Sequence, residues 1–178
     1  VTNLYLDGTP YKKMKAPKVR ALPEYSIFDI VEDVDVMVSI SPMKTHAWGG
    51  ITMTMKNFIG LPANKIYGSY KSGLPHGNIA DVILDVTGIV KDRIRSHFGI
   101  VTGIYAGEGY GPLQVVARPL NTNVAGPDYV AVDTVAATVI GFDAAAIGQI
   151  RKAHGAGLGT MKGIEVVGTA IKDVQFAA

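Results

Sequence analysis

Residues 78–104, NIADVILDVTGIVKDRIRSHFGIVTGI, hold the two patterns from which the fold is read. Ile79, Val82, Ile83, Val86, Ile89, Val90 and Ile94 recur three and four apart, so an amphipathic helix is expected from an Asn78 N-cap to Arg95-Ser96-His97. The residues 98–104 then read as a strand. Upstream, Val34-Asp35-Val36-Met37-Val38-Ser39-Ile40 is a β-branched run of the buried-strand kind. Pro42 is expected to end it, because proline lacks the N–H that a ladder needs.

The same alternation continues along the chain. A strand is expected over 120–125, a buried helix over 129–140 (YVAVDTVAATVI), a helix capped by Asp143 and running to about His154, and a last strand over 164–168. Ser26 should cap a short turn through Asp33, and 1–25 should be irregular or edge structure. The segment 51–60 fits strand and helix alike, and 64–77 and the glycine-rich 106–112 read as loops. Strands alternating with helices imply an α/β layered fold, a largely parallel sheet with flanking helices, in one domain over 1–178. The polar, turn-rich opening suggests that an N-terminal portion of a longer architecture is missing.

Composition narrows the function classes. The chain has 178 residues, 48% of them hydrophobic, enough for one core. Charged residues make up only 18%, which suggests that part of the surface is covered by a further segment or a partner. With 17 basic and 15 acidic residues, the balance argues against nucleic-acid binding. Lys12, Lys13, Lys15, Lys18 and Arg20 read as a solvated basic face, with an acidic partner as the alternative. There is no cysteine, so thiol chemistry and cysteine-ligated clusters are excluded from this chain. No apolar run approaches the ~20 residues of a membrane span. The cytoplasm is the favoured compartment, although a cleaved signal would leave the same sequence.

Chemistry concentrates just past the first strand, in SPMKTHAWGGITMTMKNFIG (41–60). In open α/β sheets that edge is where ligands bind. Lys44 and Lys56 would hold a phosphate or carboxylate as point charges, and Asn57 can donate and accept. His46 and His76 are the histidines whose loops could converge, with ring chemistry suited to proton transfer; His97 and His154, near helix ends, read as structural. Glu108, in Gly107-Glu108-Gly109-Tyr110-Gly111-Pro112, is a candidate general base or metal ligand on a loop whose glycines permit close approach. Asp128 reads as an N-cap. Asp133 sits among apolar residues and must be paired, Lys44 or Lys56 being the expected partner, so that it would support the site from below. Asp81 and Asp85 read as solvated. Trp48, Tyr67, Tyr70 and Tyr110 could line a pocket.

Taken in order, Lys44-Thr45-His46, Thr52 with Lys56-Asn57-Phe58-Ile59-Gly60, His76, Glu108-Gly109 with Gly111-Pro112, Ala125-Gly126 with Asp128, and Val130-Ala131-Val132-Asp133 resemble the domain-of-unknown-function family 362. The resemblance spans about residues 33–168. It implies an α/β fold, usually in a longer chain with an extra N-terminal half, and no settled activity. Some family members carry a ferredoxin-like domain with iron–sulfur clusters; without cysteine, that association does not transfer to this polypeptide. Thr102 stands where the family commonly has aspartate, and Leu113-Gln114 where another glycine is often seen. A divalent metal on Glu108 and Asp128 would therefore lack a third oxygen ligand. The functional expectation is a small anionic ligand held by Lys44, Lys56 and Asn57, with His46 and either His76 or Glu108 moving a proton. The alternative is a non-catalytic accessory module that docks on a redox protein or carries a ligand; a redox protein or a second copy of the chain is the expected protein partner. The cleft is expected beside 42–57, with 106–112 facing it.

Overall fold

The periodic helix forms as α3 (Ile79–Arg93) in a computed structural model that describes residues 9–176. Its Ile79, Val82, Ile83, Val86, Ile89 and Val90 are all buried. Asn78 occupies the N-cap position, but its side chain makes no capping bond. The strand after it, β5 (Ser96–Tyr110), lies parallel to β3 (Val36–His46), with Val36 opposite Ser96 and Ile40 opposite Ile100. The short β4 (Gly50–Thr52) and the long β6 (Gln114–Gly126) flank them, giving the order β4-β3-β5-β6.

The sheet is mixed, not largely parallel: β3/β5 is the parallel pair, and β3/β4 and β5/β6 are antiparallel. The connections dictate this. Three residues (47–49) join β3 to β4, and three (111–113) join β5 to β6; turns that short can join only antiparallel strands. Most of the expected loop 106–112 is therefore strand. Pro42 does not end β3 either. The β4 pairing starts only at Lys44, and a register shift falls between Pro42 and Lys44, so proline occupies a half-open, bulged position that loses no ladder bond on the β4 side.

Along β3 and β5 the side chains alternate. Ser39, Ser41, Met43, Gly99, Val101 and Gly103 are buried, and Val36, Val38, Ile40, Phe98 and Ile104 are exposed on the opposite face. Helix α1 (Thr54–Asn57) and helix α4 (Tyr129–Val139) pack on the buried face, with α3 and α5 (Gly148–Gly155) packed against them in turn. Small residues let the helices come close: a methyl group on Gly99 would touch Thr54 Cγ2 at 3.0 Å and Tyr129 at 3.1 Å. The helices thus flank one face only, among the described residues.

Several local expectations change. Ser26 lies in β2 (Glu24–Phe28), which pairs with β1 (Tyr11–Lys15) as a separate hairpin. The basic face there is partly neutralised, with Lys12 paired to Glu32 and Lys13 to Glu24. Asp85 is not solvated. Fully buried on α3, it accepts from the backbone N–H groups of Arg20 (3.0 Å), Ala21 (2.8 Å) and Leu22 (3.1 Å) and from the Tyr25 hydroxyl (2.9 Å), tying the β1–β2 hairpin to the core. Asp81 instead pairs with Lys152 of α5 at 2.9 Å. The ambiguous 51–60 resolves into β4, α1 and a 3-10 turn, and 64–77 contains one helical turn, α2 (Asn64–Tyr67). Asp143 caps a 3-10 turn (Ala144–Ala146) rather than α5. The expected strand 164–168 is irregular: Glu165 to Gly168 are exposed and pair with no strand. A last short turn, α6 (Ile171–Val174), follows.

Candidate functional site

The site is assembled where the β3–β4 hairpin, the start of α1 and the tip of the β5–β6 hairpin meet. Lys44 lies opposite Thr52 and His46 opposite Gly50 in the β3/β4 ladder. Two residues beyond β4 the chain turns into α1, because Asp133 of α4 accepts from its first two N–H groups, Thr54 N at 2.8 Å and Met55 N at 3.1 Å, and from the Thr54 hydroxyl at 2.6 Å. That fixes Lys56 and Asn57 beside Lys44. Asn57 is further held by its amide, which donates to Ser39 Oγ (3.2 Å) and Ile40 O (3.1 Å). The hairpin tip closes the other side. Ala47 N–H donates to Gly111 O at 3.0 Å and Thr45 Oγ1 to Gly109 O at 2.6 Å, and Gly111 lies so close that any Cβ would overlap the Thr45 carbonyl oxygen.

Between these walls lies a cleft of about 940 Å³. Lys44, His46, Lys56, Asn57 and His76 line one side and residues 110–114 the other, with Trp48 and Tyr70 also bordering it. No Asp or Glu lines it. Lys71 also borders the cleft, but its ammonium donates to Pro62 O and, at 2.5 Å, to Asn64 Oδ1. Lys44 and Lys56 have no carboxylate partner among the described residues. Burial, and then the neighbouring Lys44, push the Lys56 amine down to about 8. The Thr52 hydroxyl, also on the cleft, is buried without a hydrogen-bond partner.

The two histidines are held in opposite tautomers. His46 Nδ1 accepts from the backbone N–H groups of Trp48 (3.1 Å) and Gly49 (3.3 Å), so the neutral ring carries its proton on Nε2. Burial, then Lys56, Lys44 and His76, push His46 down to about 4. Two N–H groups aimed at Nδ1 oppose protonation for the same reason. His76 is the converse: its Nδ1 lies 2.9 Å from Leu74 O, and since a carbonyl can only accept, Nδ1 bears the proton and Nε2 is left as acceptor. Trp48 packs edge-on against the His76 ring, centroids 5.0 Å apart.

Three expected residues lie elsewhere. Glu108 is exposed on β5, its carboxylate bonded to Arg118 Nε across the hairpin at 2.6 Å. Asp128 caps α4, accepting from Val130 N (2.8 Å) and Ala131 N (3.2 Å), and also receives Thr160 N at 2.9 Å. Glu108 is nine residues along β5 from Gly99, which pairs with Gly126 beside Asp128, so roughly 30 Å of strand separates the two carboxylates and they cannot share a metal ion. Among the described residues no group of three or more His, Cys, Asp or Glu side chains gathers as a metal site. Asp133 is fully buried and does not line the cleft; its partners are Thr54 and Met55 rather than a lysine. Burial raises it to about 7 against the lowering effect of those hydrogen bonds. Tyr67 also faces away, its hydroxyl accepting from Ser26 N–H at 3.0 Å. Thr52 enters the sequence reading only as part of the family resemblance, without a role in the cleft, and Lys71 carries no sequence signal beyond its place among glycines.

A family model described as "Domain of unknown function (DUF362)" matches residues 1–138, more than three quarters of the chain. The chain belongs to this family. The match takes in the whole DUF362 cleft and ends within α4, so the chain from Val139 onward lies outside it. A curated relative, the "Thylakoid-associated protein sll1697" of Synechocystis sp. (strain ATCC 27184 / PCC 6803 / Kazusa), is 27% identical over 117 residues, covering 65% of this chain. The DUF362 chain spans about a third of that relative's length, 35% of it being aligned. No solved structure matches. No helix among the described residues is long and apolar enough to cross a membrane.

Proposed function

We propose that the DUF362 cleft binds a small anion, with Lys44 and Lys56 as its charge partners. One observation carries this reading: lysines and histidines converge on a cavity that no carboxylate lines. Two cations held together without a counter-ion repel each other, and an incoming phosphate or carboxylate relieves that repulsion. The unpartnered Thr52 hydroxyl has a proton to donate to such a ligand, while Asn57, whose amide N–H groups are engaged by Ser39 and Ile40, holds the wall of the cleft in place. In this reading His46 is a neutral donor through Nε2–H, and His76 Nε2 is the group that accepts a proton from bound substrate. Glu108 plays no part in it, and no resident metal is required for binding.

The test is calorimetry and thermal shift with inorganic phosphate, small phosphorylated compounds and short carboxylates. Binding of one class is expected, abolished by Lys44→Ala or Lys56→Ala while the melting temperature of the unliganded variant stays at the wild-type value. A melting temperature that ignores every one of these anions would remove the reading. It would favour the second one, a non-catalytic module that docks on another protein. The apolar sheet face left open by Val36, Val38, Ile40, Phe98 and Ile104 supports that alternative, as does the description of the cyanobacterial relative as thylakoid-associated.

A further inference from the structure

The cleft is too large and too aromatic for a bare oxyanion. Its volume of about 940 Å³ lies at the upper end of the range for whole organic ligands, ~300–1,000 Å³. Four large side chains at its border are conspicuously unburied: Trp48 at 63% exposure, Tyr110 at 69%, Leu113 at 83% and Tyr70 at 85%. They come from three separate segments, the β3–β4 turn, the loop after α2 and the β5–β6 tip, yet all border one hollow. Trp48 is not loose. Its ring stands at 76° to the His76 imidazole, which positions the indole beside the histidine. Lys44 and Lys56 supply positive charge in the same cavity.

From these placements we infer that the ligand is an aromatic anion: a flat ring system carrying a phosphate or carboxylate, its charged group on Lys44 and Lys56 and its ring covering Trp48 and Tyr110. This rests on the anion-binding reading above and extends it to the body of the ligand. Apolar surface at the mouth is taken from water when the ligand brings apolar surface of its own, and a flat ring suits indole and phenol best because its faces can stack on theirs. Such a contact typically strengthens binding by about ten-fold.

The experiment compares inorganic phosphate, 1-naphthyl phosphate, 2-naphthoate and adenosine monophosphate by calorimetry on the intact chain. Naphthyl phosphate is expected to bind about ten-fold more tightly than inorganic phosphate. It should also quench the emission of Trp48, which is the chain's single tryptophan. Trp48→Ala should lose about that ten-fold for naphthyl phosphate and Trp48→Phe should recover most of it, which a merely structural role for the exposed indole would not produce. The adenosine arm separates a nucleotide from a simple aryl phosphate, and the naphthoate arm separates phosphate from carboxylate. Equal affinities for naphthyl and inorganic phosphate, or a Trp48→Ala variant that binds naphthyl phosphate as the wild type does, would overturn this inference and leave the anion site standing. Failure of all four compounds to bind would overturn both.

Discussion

At the scale of single residues, the cleft is governed by which protons its groups carry. His46 and His76 are the same side chain with opposite ring nitrogens engaged, one accepting from two backbone N–H groups and the other donating to a carbonyl. That difference decides donor from acceptor, and nothing in the order of the sequence announces it. Lys56 sets the pH response. Its amine is pushed down to about 8, so the free site loses a positive charge as pH rises through that value. An anion binds the charged form better; affinity should therefore be high below about 8 and fall above it, and binding should draw a proton onto the protein near that pH. Sulfate is the suitable probe, because its own charge stays constant over this range. Calorimetry at intervals across the neutral to alkaline range should show the decline, and Lys56→Arg, always charged, should flatten it. A sulfate affinity that is level through pH 8 in the wild type would mean that Lys56 does not face the anion.

At the scale of elements, one contact couples the helical layer to the site. Asp133 on α4 accepts the leading N–H groups of α1, and α1 carries Lys56 and Asn57 into the cleft. Asp133→Ala would leave Thr54 N and Met55 N buried without acceptors and Thr54 Oγ1 with only its longer bond to Tyr129 O (3.3 Å), a loss of about 3 kcal/mol in urea unfolding. Anion binding should weaken in the same variant even under conditions where it remains folded. Wild-type stability without any binding defect would show that α1 holds its place unaided. The buried carboxylate in the run VAVDTVAATV was legible as a residue in need of a partner, but the partner is backbone rather than lysine, and backbone donors leave no mark in a sequence. The glycines of β5 misled for a related reason. Gly107 and Gly111 mark close approach within a strand pair and its turn, where a methyl on Gly107 would meet Lys44 Cβ at 2.9 Å, and not an open loop. The helix 79–93 and the β-branched core of β3 were readable because periodicity is a local property. Strand direction was not, since it follows from turn lengths visible only once strand ends are known.

At the scale of the whole molecule, the sheet carries helices on one face, while the other shows Val36, Val38 and Ile40 on β3 beside Phe98 and Ile104 on β5. A parallel strand pair is ordinarily covered on both faces, which is why its strands read as continuous apolar runs. The run 34–40 has that character, and the 18% charged content already pointed to surface that water is not meant to cover. The second face of the sheet is therefore uncovered among the described residues, although the apolar residues that would support a covering layer are present. Val38 and Phe98 are cross-strand partners at the middle of this face. The double substitution Val38→Lys with Phe98→Glu would place opposite charges side by side on adjacent strands, a favourable pairing that disturbs no buried neighbour. Val38 is 47% and Phe98 38% exposed, so part of each side chain is already out of water and stability should fall by about 1–2 kcal/mol while the chain stays folded. Binding of a neutral hydrophobic dye such as Nile red should fall sharply, and any light-scattering mass that grows with concentration should drop toward that of a single chain. If the double variant instead unfolds, the two side chains are packed in the free protein and the face is already covered; if it folds and takes up dye as the wild type does, the apolar surface that water meets lies somewhere other than on β3 and β5.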